Sequence, residues 1–346
     1  MDFGQVPAHL LGEVDFSLPP EGAENSAVLA SARHAMGAAS SARASAAKGD
    51  PAAISAATRA VPPRVYIGCA KWGRKEWIGK VYPKGTKEAD FLEHYVRHYN
   101  SIELNATHYK IYSPAEIQRW ADKAQGRPFL FCPKIPQSIS HYSSLVGMED
   151  RTAAFLEGVL AFKDQLGPIF LQLSDRYGPS RKTALFNYLK ALPTDLSFFL
   201  EVRHPDWFSD PAERRELFHR LRDMNIGAVI TDTAGRRDCA HMELTMPKTF
   251  VRYVGNSLHP TDYTRIDAWV ERIGAWLDQG LEELYFFMHM HNEATSPELT
   301  VYLVDRLNKA RGLDLQKPRF IGTTEVAVKG TAGENGRAQA TLFFTD

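Results

Sequence analysis

A chain of 346 residues with 41 basic and 41 acidic side chains has no net charge to draw it to nucleic acid or an anionic membrane, which leaves at most a local basic patch. Its 44% hydrophobic content and six Trp suffice for a substantial core. Three distant cysteines, Cys69, Cys132 and Cys239, form no Cys-x-x-Cys pair, which disfavours a thiolate zinc site and fits a reducing compartment.

Residues 1–60 stand apart. From Glu24 to Ala60 the chain is mostly Ala, Ser and Gly with scattered Arg, a composition that predicts a disordered or transiently helical low-complexity arm. Asp2, Glu13, Asp15, Glu21 and Glu24 argue against a transit peptide. No secretory leader pattern opens the chain and no run reaches the ~20 apolar residues that span a bilayer. The expected location is therefore cytoplasmic, with no membrane partner.

Pro62-Pro63 opens the ordered part, expected over residues 61–321. Short apolar runs occur at Val65–Cys69, Ser101–Leu104, Phe129–Pro133, Ile169–Leu173, Leu196–Val202, Ala228–Thr231, Phe250–Val254 and Leu284–His289. Between them lie helical stripes: Phe91, Leu92, Tyr95 and Tyr99; Ile117, Trp120, Ala121 and Ala124; Leu217, Phe218, Leu221 and Met224; Ile266, Trp269, Val270, Ile273 and Leu277. Eight strands alternating with helices or long loops predict an α/β fold, a TIM-type (β/α)8 barrel of parallel strands. A doubly wound sheet is disfavoured because no Gly-rich phosphate turn follows the first run. Residues 322–346 read as a tail or an accessory strand.

The runs end in polar residues, and charge at the end of a buried strand is costly unless it serves a site. In a (β/α)8 barrel all carboxyl ends of the strands meet on one face, where active sites lie. That rule collects Trp72 after the first strand; Glu103, Asn105 and Tyr109 after the second; Lys134 and His141 after the third; and Gln172 on the fourth. It adds Glu201, Arg203, His204 and Trp207 from the fifth, Asp232 from the sixth, Arg252 from the seventh, and His289 and Asn292 from the eighth. Residues two apart on a strand share a direction, so Glu103, Glu201 and His289 are placed towards the lumen.

In this arrangement Glu103 and Glu201 are candidate acid and base, with His204 and Asp232 as further catalytic groups. Lys134, Arg203 and Arg252 suit an anion, and Trp72 and Trp207 suit stacking. The remaining residues of the set are assigned to substrate binding. Each has a plainer reading. Glu201 with Arg203, and Lys134 with Glu103, are also consistent with structural ion pairs, and the tryptophans with rim packing.

The same residues resemble the family called domain of unknown function 72, also known as YecE-like, from about Val65 to Asn308. The resemblance rests on Ile67-Gly68-Cys69 with Trp72 and Trp77, Tyr82-Pro83, Ser101-Ile102-Glu103-Leu104-Asn105 with His108-Tyr109, and Phe131-Cys132-Pro133-Lys134 followed by Ile139-Ser140-His141. Gly167-Pro168 with Leu171-Gln172-Leu173 and, most specifically, Glu201-Val202-Arg203-His204 with Trp207 complete it. It implies a (β/α)8-type barrel and leaves the reaction open. This chain departs from the family pattern at Val254, where a strand-seven His is usual, and at Phe287–Asn292 on strand eight.

The expected function is an enzyme, a hydrolase or an isomerase or lyase, acting on a small anionic substrate such as a phosphorylated sugar or nucleotide fragment through carboxylate acid/base chemistry. No cofactor is assigned, with a divalent metal as the minor option. The first alternative is a metal-dependent phosphodiesterase or nuclease, for which a nucleic-acid partner is not favoured by the balanced charge. The second is a non-enzymatic ligand-binding or interaction module. Oligomeric state is left open.

Overall fold

The computed structural model describes residues 4–31, 62–124 and 126–322. All eight expected runs are strands: β1 (Arg64–Cys69), β2 (Ser101–Leu104), β3 (Leu130–Pro133), β4 (Ile169–Gln172), β5 (Phe198–Glu201), β6 (Gly227–Asp232), β7 (Lys248–Gly255) and β8 (Glu283–Met290). Helices alternate with them: α1 (Phe91–Tyr95), α2 (Pro114–Lys123), α3 (Glu149–Val159), α4 (Lys182–Lys190), α5 (Pro211–Asp223), α6 (Pro260–Gln279) and α7 (Ser296–Arg311). Between β6 and β7 a 3-10 segment, Ala234–Cys239, takes the place of a helix.

Local chemistry sets these boundaries. Ser113 and Glu116 form a reciprocal capping box at the start of α2, satisfying amides that the first helical turn leaves unpaired. Asp210 caps α5 ahead of Pro211. Gly280 and Gly312 end α6 and α7 in the left-handed region, at φ 116° and 62°, which a residue without Cβ adopts at little cost.

Every strand pair is parallel. Continuous ladders join six strands in the order β1-β8-β7-β6-β5-β4 and separately join β2 to β3. The architecture is thus α/β, with a curled parallel six-stranded half-barrel sheet and a two-stranded companion. The two seams between these sheets are sewn differently from the ladders. At β1–β2, the Asn100 amide donates to the Val65 carbonyl (2.9 Å) and accepts from the Ile67 amide (2.7 Å). The Tyr95 hydroxyl accepts from the Cys69 amide (2.7 Å) and donates to the Ser101 carbonyl (3.0 Å). A Cβ on Gly68 would lie 2.1 Å from the Ser101 carbonyl oxygen, so only glycine permits this approach. At β3–β4, the Gly167 amide donates to Phe131 (2.8 Å) and the Ile135 amide to Phe170 (2.9 Å).

Strand alternation divides the core in two. One face of the strands gathers Cys132, Phe170, Phe199, Val229, Phe250, Tyr285 and Phe287 into an inner cluster. The other face, with Leu171, Leu200, Ile230, Val251 and Phe286, packs against the helix stripes, including Trp269 and Ile273 of α6.

The extension expected to be disordered over residues 1–60 is in part docked. Within residues 4–31, Leu11, Asn25 and Leu29 are buried. The Asn25 side chain donates to the Met242 carbonyl (2.7 Å) and accepts from the Leu244 amide (2.8 Å), and Phe16 lies 4.9 Å from the Arg265 guanidinium. The remainder of the extension, residues 1–3 and 32–60, and the tail over 323–346 lie outside the described residues. Among the described residues no helix is long and apolar enough to cross a membrane.

Candidate functional site

The inner face of the strands ends in charge. Glu103, Lys134, Gln172, Glu201, Arg203, Arg252 and His289 come from six strands and the turns that follow them, and all are buried. Phe170, Phe199, Phe250 and Phe287 pack on the same strand faces and give these ionic groups an apolar floor. That surrounding strengthens every charge–charge interaction above it and penalises any charge left unpaired.

Arg252 is the centre. Its Nε and NH2 donate to Glu103 Oε2 and Oε1, both at 2.8 Å, and its NH1 donates to Glu201 Oε2 at 2.7 Å. Glu201 Oε1 also accepts from Arg203 Nε (2.5 Å). Glu103 accepts from the Asn105 amide (2.8 Å) and from His289 Nε2 (2.9 Å); a carboxylate is an acceptor, so this nitrogen carries the proton. Among the described residues, His289 Nδ1 and Thr231 Oγ1 are buried without a hydrogen-bond partner.

Two carboxylates and two guanidiniums balance, and Lys134 is a surplus cation. Its Nζ donates to Gln172 Oε1 (2.8 Å), which is also 3.4 Å from Arg252 NH1. Among the described residues the Lys134 ammonium has no carboxylate within ion-pair distance, whereas Arg203 and Arg252 each hold one. Burial, reinforced by Arg252, lowers the Lys134 pKa to about 7 against the partial opposition of Glu103 and Glu201. The glutamates move the other way. Burial would raise them, but Arg252 and His289 hold Glu103 well below the usual carboxylate range, and Arg203 and Arg252 bring Glu201 down to about 2. The expected split pair, one glutamate protonated and one ionised, is therefore replaced by two ionised carboxylates. The group brought near neutrality is the lysine. Lys134 also does not neutralise Glu103; the bidentate Arg252 does.

Two histidines stand beside Lys134. The rings of His108 and His141 meet edge to face at 4.8 Å. Burial and then Lys134 depress them to about 3 and about 4 respectively, so both are neutral at pH 7. His141 Nδ1 lies 2.8 Å from Ser140 Oγ. Tyr109 is exposed beside His108. Trp72 is half-buried and packs edge-on against Trp120, a rim position.

Other expected members lie elsewhere. Asp232 belongs to the helix-facing side of β6: its carboxylate pairs with Arg265 (3.0 Å) and Arg237 and accepts from Trp269 Nε1 (2.7 Å) on α6. This separates it from Glu201: Thr231 and Asp232 point to opposite faces, and Thr231, two residues from Val229 of the inner cluster, has the inner side. Trp207 is fully buried, its indole nitrogen donating to the Tyr177 carbonyl (2.8 Å), so it has no open face for stacking. His204 is partly exposed, accepts from the Asp206 amide (3.2 Å) and packs on Gly178. Asn292 is exposed and accepts from the Ala294 amide.

Val254, where the resembled pattern has His, is the register partner of His289, so an imidazole stands on the neighbouring strand at that level. Thr231 and His108 are among the polar strand ends that the sequence marks, and the structure buries Thr231 on the inner face and sets His108 against His141. The Val229–Thr231 alternation was a usable signal for the first; the second follows from the fold of the loops after β2 and β3. Among the described residues no group of three His, Cys, Asp or Glu side chains is placed to share a metal ion. A separate cleft of about 830 Å3 between α4 and α5, lined by Lys182, Asn187, Glu216 and Arg220, shares no residue with the rim cluster.

Comparison with known proteins gives a consistent family likeness. A family model described as "Protein of unknown function DUF72" matches residues 66–320. The UPF0759 protein YecE of Escherichia coli (strain K12) is 28% identical over 263 residues, covering 71% of this chain and 93% of its own length. The UPF0759 protein YunF of Bacillus subtilis (strain 168) is 25% identical over 158 residues, covering 42% of this chain and 53% of its own. Among solved structures, a DUF72 family protein from Enterococcus faecalis V583 superposes with a TM-score of 0.57 at 16% identity, over 74% of this chain and 98% of that one. Another from Thermotoga maritima MSB8 gives 0.54 at 20% identity, over 72% and 100%. At these identities the structural likeness speaks to the fold.

Proposed function

The chain belongs to the DUF72 family, whose description names no reaction; from the buried ionic cluster at its strand ends we propose that it is an enzyme acting on a small anionic substrate there. In this reading the β2–β3 pair fills the gap between β1 and β4 and completes an eight-stranded TIM-type barrel, with the ionic cluster at its mouth.

One observation carries the proposal: Arg252 occupies both glutamates, leaving Lys134 buried and without a carboxylate. A buried polar network of this density is costly to build and has little use in folding alone. The roles follow from the charges. Lys134, with a pKa of about 7, is the proton acceptor, since a base works best when its pKa lies near the working pH. Gln172 orients it. Glu103 and Glu201 fix Arg252 and Arg203, whose guanidiniums, balanced by those carboxylates, are the charge-assisted donors assigned to the anion. Among the described residues, His289 Nδ1 and Thr231 Oγ1 are buried groups of the inner strand face with unused hydrogen-bonding capacity. Acid/base work thus passes from the glutamates to the lysine, while the anionic substrate class stays as expected from sequence.

The test is a screen of phosphorylated sugars, nucleotide fragments and small carboxylates against the full chain by thermal shift and turnover. The expected result is a stabilising anion whose turnover rises with pH through about 7 and is lost in Lys134→Met while that variant remains folded. Turnover unchanged in Lys134→Met would refute the assignment.

A further inference from the structure

The rim holds three buried cations of unlike standing. Arg203 and Arg252 are bonded to carboxylates, and a guanidinium does not give up its proton at any ordinary pH. Lys134 has the opposite properties on both counts. As a free amine it donates one N–H to Gln172 Oε1, and because Gln172 also contacts Arg252 NH1, its orientation is fixed. The amine lone pair then points away from Gln172. A base needs no more than this. A nucleophile also needs groups to manage the oxygen it displaces, and the buried Nδ1 of His289 and Oγ1 of Thr231, both without partners, stand on the same inner strand faces.

We propose that Lys134 is a covalent attachment point, its amine condensing with the carbonyl carbon of a small anionic carbonyl compound to form an imine. This rests on the small-anion reading above and names the substrate class it implies. The step balances without a further reactant. The nitrogen lone pair forms the C–N bond while the C=O π pair moves to oxygen. One N–H proton is passed to that oxygen, giving a carbinolamine. The nitrogen then forms the C=N bond as the C–O bond breaks, and the departing hydroxide takes the second N–H proton to leave as water. Thr231, the register partner of Arg252, and His289, bonded to Glu103, are the groups assigned to hydrogen-bond the oxygen in transit. Arg203 and Arg252 favour a carbonyl compound that also carries a negative charge over a neutral one. Burial serves the chemistry twice: it favours the free amine and limits hydrolysis of the imine.

The experiment uses the full chain with glyoxylate and cyanoborohydride at neutral pH, followed by peptide mapping of the reduced adducts. Acetaldehyde is the neutral comparison, and exposed Lys84 and Lys87 are internal references. Lys134 is expected to be labelled about tenfold or more faster than the references, because the free amine is the reacting form. That advantage is expected to shrink with acetaldehyde and to vanish in Lys134→Arg, whose fold is checked by circular dichroism. Labelling no faster than at Lys84 and Lys87 would overturn the imine. If glyoxylate nevertheless stabilises the protein without reductant, and does so less in Arg203→Met, the imine alone fails and the anion site of the proposed function stands. If neither stabilisation nor adduct occurs with any anionic carbonyl tried, both fail. Equal labelling by glyoxylate and acetaldehyde would remove the anionic requirement and overturn the substrate class.

Discussion

Replacing Lys134 by Met keeps an unbranched side chain one atom shorter and removes, among the described residues, the rim charge without a carboxylate at ion-pair distance. In the folded protein the lysine loses its proton at about pH 7, against 10.5 for an unperturbed side chain. At about 1.4 kcal/mol per pH unit, that difference corresponds to about 5 kcal/mol between the two protonation states. Between those pH values the unfolded chain binds the extra proton, so stability rises with pH across the window and is flat below it. From pH 7 to pH 9 the wild type should gain about 2–3 kcal/mol relative to Lys134→Met. At pH 6, where the wild type still carries the ammonium, the variant should be more stable by about 1–4 kcal/mol, less about 1 kcal/mol for the lost bond to Gln172. Urea unfolding of both proteins at pH 6, 7, 8 and 9 measures this: titrating groups remote from Lys134 cancel in the difference, and His108 and His141, which its charge also holds down, add a contribution at the acid end only. Parallel curves, or a variant less stable at pH 6, would mean that the ammonium compensates the glutamates, and the charge reasoning would be refuted.

Three further outcomes follow from the same structure. Arg252→Met leaves Glu103 and Glu201 buried with half of their partners gone and should cost about 3–5 kcal/mol in urea unfolding. Gly68→Ala places a methyl group 2.1 Å from the Ser101 carbonyl oxygen, a backbone atom; the strands must separate, and thermal melts should show a loss of about 1–3 kcal/mol. Asp232→Asn faces Arg265 and Trp269 and not the rim, so it should lower stability by about 3–5 kcal/mol while leaving the rate of glyoxylate trapping at Lys134 unchanged; a slowed trapping rate would return Asp232 to the site.

The strands were legible because a buried parallel strand is a short apolar run, and the helices between them repeat at 3.6 residues. The rim was legible because charge interrupts those runs at Glu103, Lys134, Glu201 and Arg252. Partner choice was not. Arg252 lies 149 residues from Glu103 and 51 from Glu201, and no local pattern says that one guanidinium spans both. Asp232 was misplaced because a polar pair at a strand end, Thr231-Asp232, fits either parity; Val229 in the inner cluster decides it. Trp207 sits in the most family-like motif, yet a tryptophan near a rim reads the same whether it faces solvent or the core. The docking of residues 4–31 escaped because the average composition of the Ala-rich arm hid Phe16, Asn25 and Leu29, three anchors in a segment otherwise poor in bulk.

The stitching of β1 to β2 has a kinetic consequence. The amides of Ile67 and Cys69 end on the side-chain oxygens of Asn100 and Tyr95, so a rotation of either side chain exposes a strand amide while every ladder stays closed. Deuterium uptake at those two amides would then follow rotamer exchange and not global unfolding, making them native reporters of how often the two-stranded leaf parts from its neighbour.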